Sequence, residues 1–157
     1  MSKSRDIDIE ILIETPVEDV YDAWLKPELI EKWLARKARV EPAVGGAYEL
    51  FWDVEHPAQN STLGCRITNL VPNSELSFSW KTLPEGGATP DGETHVFIRL
   101  EPREGGTLLR FVHTGWGAGA RWEKARLWQA EAWREAIDNL KNMLENTGRF
   151  MQNVSMN

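Results

Sequence analysis

Residues 120–146 contain neither proline nor glycine, and Trp122, Ala125, Gln129, Trp133, Ala136, Ile137, Leu140, Met143 and Leu144 fall on one stripe at helical spacing. The spacing predicts one long amphipathic helix at the C-terminal end, with Gly148 as its stop and residues 147–157 as a frayed tail. Helical phase puts Trp133, Leu140 and Leu144 on the covered side and Glu131, Arg134 and Asn142 in water. A stripe of that length needs an equally large apolar surface to lie on, and the preceding residues have to supply it.

They do so with a period of two. Ile7, Ile9, Ile11 and Ile13 alternate with Asp8, Glu10, Leu12 and Glu14, which is the pattern of a half-buried strand. Thr15-Pro16-Val17-Glu18 then reads as a capping box, followed by Val17, Val20, Tyr21 and Trp24 on one helical face. Pro27 with Leu29, Ile30 and Trp33 predicts a second short helix. Beyond Gly45-Gly46 the alternation returns, with Tyr48, Leu50, Trp52 and Val54 opposite Glu49, Phe51 and Asp53. Further strands are predicted at about 63–71, 75–81, 93–101 and 107–113, with a flexible, breaker-rich loop over 84–92 whose residues 86–92 are expected to be the most mobile internal stretch.

Strands and helices are thus segregated along the chain, which argues for α+β with an antiparallel sheet of about six or seven strands curved around the long helix. Alternation points Leu50, Trp52, Cys65, Ile67, Leu76, Phe78, Trp80, Val96, Ile98, Leu100, Leu109, Phe111 and His113 inward. Phe51, Phe97, Leu108 and Val112 are expected outside, as weak signs of a partner surface. The 157 residues, 41% hydrophobic and 27% charged, support one core, so residues 1–157 are read as a single domain with its core at about 7–146.

Charge narrows the partners. With 24 acidic against 18 basic residues and a formal net charge of -6, the chain has no cationic surplus to displace the counterions of a nucleic acid. No apolar run is long enough for a membrane span, and the hydrophilic start together with the single Cys65 leads to a cytoplasmic expectation.

Few motifs carry chemistry. Gly115, Gly117 and Ala120 satisfy a dinucleotide-binding spacing, but no second strand follows the helix, so the segment is read as a glycine hinge. His56, His95 and His113 are far apart and none stands at ligand spacing to Cys65, so neither a metal nor a cofactor is expected. No Gly-x-Ser-x-Gly elbow exists, and no residue is assigned as catalytic. Eight tryptophans are the unusual count: Trp52, Phe78, Trp80, Phe111, Trp116 and Trp133 either line an apolar pocket or fill the core with their own rings. His113 and Gln129 are polar at otherwise apolar inward positions, each satisfied by the protein or anchoring a ligand.

In order, Thr15-Pro16-Val17-Glu18-Asp19-Val20-Tyr21, Trp24, Leu29-Ile30-Glu31-Lys32-Trp33-Leu34, Val44-Gly45-Gly46-Ala47-Tyr48, Gly64, Leu76-Ser77-Phe78-Ser79-Trp80, Gly105-Gly106-Thr107-Leu108-Leu109 and Trp133 with Ile137 and Leu140 form a recognisable set. The set resembles the START-like, helix-grip (SRPBCC) superfamily, and within it the homologues of the heat-shock-protein-90 ATPase activator, over about residues 7–145. One departure is that many members carry His, two residues, then Gly-Trp in the last helix, where this chain has Gln129-Ala130-Glu131-Ala132-Trp133. No role of that histidine is carried over.

The resemblance implies a helix-grip domain that binds an apolar or aromatic small molecule between sheet and helix. The expected ligand-facing residues are Trp52, Phe78, Trp80, Phe111, His113, Trp116, Gln129 and Trp133. Two alternatives stand beside it: a polyketide cyclase-like or hydrolase-like enzyme in which His113 and Gln129 orient the substrate, and a co-chaperone-like interaction domain. A homodimer or a chaperone is the macromolecular partner these readings allow.

Overall fold

A computed structural model describes residues 5–81 and 93–155, with the backbone alone described from 147 onward. The elements follow the order β1 (Ile7–Ile13), α1 (Val17–Leu25), α2 (Pro27–Trp33), β2 (Lys37–Val40), β3 (Tyr48–Phe51), β4 (Ile67–Val71), β5 (Glu75–Lys81), β6 (Glu93–Arg103), β7 (Gly106–Thr114) and α3 (Ala120–Ser155). This is the expected α+β helix-grip arrangement, with two short helices after the first strand and the long helix last. The expected mobile stretch 86–92 lies outside the described residues.

The strands form a five-stranded antiparallel sheet in the order β1-β7-β6-β5-β4 and a two-stranded sheet of β2 and β3, joined by a bridge between Ala47 and Arg66. The short β2 was not legible, because four residues with two charges give alternation too little length to show. β3 stops at Phe51 rather than running on to Val54. Phe51 corrects the alternation reading: it is buried, not outward, since the following loop folds back and Ser61 bridges to it. Phe97 on β6 does stand exposed on the outer sheet face.

Two predicted helix boundaries also change. Pro16, not Thr15, takes the cap position of α1, and no side chain caps that helix. Thr15 is drawn inward instead: its carbonyl accepts from the Thr107 hydroxyl at 2.7 Å, and its own hydroxyl is buried without a partner. At the other end α3 passes through Gly148 to Ser155. A single glycine weakens a helix by only about 1 kcal/mol and does not by itself stop one.

The interior is aromatic. Trp24, Trp80, Trp133, Tyr48, Phe78 and Phe111 are all less than 2% exposed, between the concave face of the sheet, α1 and α3. Trp133 lies 4.6 Å from Phe111 and 4.9 Å from Trp80 by ring centroids, tilted against both. Contacts of this kind add about 1 kcal/mol each beyond the area they bury. Trp133, Leu140 and Leu144 face this interior, whereas Glu131, Arg134 and Asn142 are exposed. No described helix is long and apolar enough to cross a membrane.

Candidate functional site

Gln129 and Trp133 are one helical turn apart on α3, so both point at the same part of the sheet. There they meet Trp80 of β5, whose indole N–H donates to Gln129 Oε1 at 3.3 Å. An indole can only donate, so the amide oxygen is the atom that faces it. The amide Nε2 of Gln129 is thereby turned away from Trp80, and it makes no hydrogen bond to any described residue.

A second set of bonds lies behind Trp133. Its indole N–H donates to His113 Nδ1 at 3.0 Å, while His113 Nε2 is 2.7 Å from the Thr94 hydroxyl, which also lies 3.2 Å from the Trp80 carbonyl. Because Trp133 leaves Nδ1 only the role of acceptor, the ring hydrogen sits on Nε2, which donates to Thr94 Oγ1, and the Thr94 O–H in turn donates to the Trp80 carbonyl. Burial, reinforced by His95, pushes the His113 pKa down to about 3, so the ring is neutral. The backbone carbonyl of His113 in turn accepts from Trp116 Nε1 at 3.0 Å.

In front of Gln129 lies a small pocket of about 90 Å³ between α3, Leu34 after α2, and β5. Trp52, Trp80, Gln129 and Trp133 line it. The space exists because Ala132 and Ala136, one turn apart on α3, are too small to fill it. Trp52, half-buried on the bend after β3, forms an outer wall and is held by donating to the Leu34 carbonyl at 2.9 Å.

Four of the eight expected residues are therefore brought together at this pocket. The other four sit elsewhere in the interior. Phe78 stacks on Tyr48 at 4.0 Å, Phe111 packs under Trp133, His113 is closed off by its two partners, and Trp116 covers His113 at 4.6 Å. Sequence reading did not place Leu34, Asn60, Trp128, Ala132 and Ala136 at the site. The two alanines were the available signal, since small residues at a four-residue step beside Trp133 leave a gap on an otherwise bulky stripe.

The glycine segment before α3 is a packed turn. Gly115 has φ +94°, a conformation side chains rarely adopt, and Gly117 lies so close to the Trp122 indole that a methyl group would overlap it. Cys65 is buried, which pushes its thiol pKa up and makes it a poor nucleophile. Among the described residues no three His, Cys, Asp or Glu side chains converge on a metal position.

The family described as "Activator of Hsp90 ATPase homolog 1-like protein" matches residues 14–145. The chain belongs to this family. No curated protein matches it significantly. Among solved structures, protein MLL2253 from Mesorhizobium loti is 27% identical, covering 90% of this chain and 98% of its own, with a TM-score of 0.75. The Aha1 dimer from Colwellia psychrerythraea is 22% identical, covering 89% and 96%, with a TM-score of 0.68. DynU16, of the dynemicin biosynthetic locus, is 16% identical, covering 91% and 48%, with a TM-score of 0.67. The latter two share the fold with this chain.

Proposed function

We propose that this chain is a small-molecule-binding domain whose ligand is apolar or aromatic and enters the pocket between α3 and β5. The observation that carries the reading is the composition of that wall: tryptophan rings, Leu34 and two alanines surround two amides, Gln129 and Asn60, which is how binding sites combine apolar area with a few orienting polar groups. DynU16 belongs to the dynemicin biosynthetic locus, and that biosynthetic setting is the precedent we carry over.

At about 90 Å³ the pocket is smaller than the roughly 150 Å³ cavity that accommodates benzene, so a ring enters edge-first and only in part. Both nitrogens of His113 are already bonded inside the protein, which takes away the contact through which His113 would orient the substrate of the cyclase-like alternative and favours binding over catalysis.

Titration with toluene, followed by the indole N–H signals in a ¹⁵N spectrum, tests the reading. The signals of Trp52, Trp80 and Trp133 are expected to shift together and to saturate. Ala132→Leu fills the gap on a helix that tolerates leucine, so it should abolish those shifts with the fold retained. Shifts that persist undiminished in Ala132→Leu would place the binding elsewhere.

A further inference from the structure

The Trp80–Gln129 bond decides more than the position of an amide. We infer that Gln129 makes this pocket a selective receptor for aromatic ligands bearing a carbonyl or other acceptor oxygen next to the ring. The inference rests on the binding reading above and specifies its chemistry.

Three facts lead to it. The first is that Trp80 Nε1 is a donor with no acceptor capacity, so its contact at 3.3 Å fixes Oε1 on the β5 side. The second is that Gln129 Nε2, carrying two N–H groups, has no hydrogen bond to any described residue while the side chain lines the pocket and is only 4% exposed. The third is that two of the indoles in the wall are already committed, Trp52 giving its N–H to Leu34 and Trp133 giving its own to His113, while Asn60 and Trp128 complete the polar lining. Those two indoles present only their faces and edges. The amide of Gln129 therefore presents a donor and not an acceptor, and rotating it by 180° would set N–H against N–H at Trp80.

A ligand oxygen reaching Nε2 exchanges its water bond for a bond to the amide, whereas the same oxygen in a wall without a donor loses its water bond outright. An alkene of the same shape has nothing to lose. The sign of the preference between the two thus reports whether the donor is offered.

The test uses the isosteric pair acetophenone and α-methylstyrene, which differ by a carbonyl oxygen against a methylene, on the full chain with the Trp52, Trp80 and Trp133 indole signals as readout. Acetophenone is expected to bind about fivefold more tightly than α-methylstyrene. In Gln129→Met the preference should vanish or reverse. Because that variant leaves the Trp80 N–H without its acceptor, the double variant Trp80→Phe with Gln129→Met, which removes both polar partners, is the check, and it should show the same loss. If both compounds bind the native chain equally, or the alkene binds better, the donor assignment is overturned while the binding reading stands. If neither compound moves these signals, both fail together.

Discussion

Trp133 and His113 join the middle of α3 to the end of β7 through one hydrogen bond of 3.0 Å, from indole N–H to Nδ1. That bond fixes the tautomer of a histidine with no exposed surface, and the opposite nitrogen continues the chain of bonds to Thr94 and the Trp80 carbonyl. Protonating Nδ1 would place two donors face to face, so this bond requires the neutral ring.

This has a defined pH consequence. The folded pKa of about 3 lies below the unfolded value near 6.5, so the unfolded chain takes up the proton first. The contribution is fully present above about pH 6.5 and is lost as pH falls toward 3, at up to about 1.4 kcal/mol per unit. In urea titrations between pH 7 and 4.5, native protein should lose stability more steeply than His113→Phe. Parallel curves would show that His113 is charged or exposed in the folded state.

Trp133→Phe keeps most of the ring but removes the donor, leaving His113 Nδ1 buried without a partner, and should cost about 1 to 3 kcal/mol. Trp133→Ala adds a cavity among Phe111, Trp80 and Trp24 and should cost about 3 to 5 kcal/mol. Chemical denaturation measures both. A loss below about 1 kcal/mol for the alanine variant is incompatible with a ring in the core.

Gly117→Ala should destabilise by about 1 to 3 kcal/mol, because the new methyl group overlaps the Trp122 indole, which itself rests edge-on against Trp116. In a Trp122→Ala background the penalty should disappear. An equal penalty in both backgrounds would assign the cost to backbone conformation.

The end of β1 is held by α3. Lys141 Nζ donates to the Leu12 carbonyl at 2.8 Å and pairs with Glu145, whose carboxylate accepts the Glu14 N–H at 2.9 Å. Glu145→Ala should accelerate hydrogen exchange of the Glu14 amide at least tenfold while leaving core amides of β6 unchanged. Uniform acceleration across the sheet would mean global destabilisation instead.

Much of this architecture is written in periodicity. The isoleucines of β1, the alternation through β5, β6 and β7, and the stripe of α3 each name their buried face, because a strand or helix can hide only one side and its residues must match. Short or irregular pieces escape that logic. β2 is too brief to show a period, Thr15 turns inward because Thr107 claims its carbonyl, and Phe51 is covered by a loop whose return no local pattern announces.

The site divides in the same way. That Trp80, Gln129 and Trp133 face inward follows from the chain alone, since facing is a property of one element. Whether inward rings fill the core or wall a pocket depends on what the opposite element leaves unfilled, and here Ala132 and Ala136 meet Trp52 and Leu34 only after some eighty residues of intervening chain have folded between them. Hydrogen-bond direction is likewise a tertiary fact. Gln129 is equally able to give or accept in the sequence, and it becomes a donor toward the pocket only because Trp80, forty-nine positions away, has an N–H that must be met.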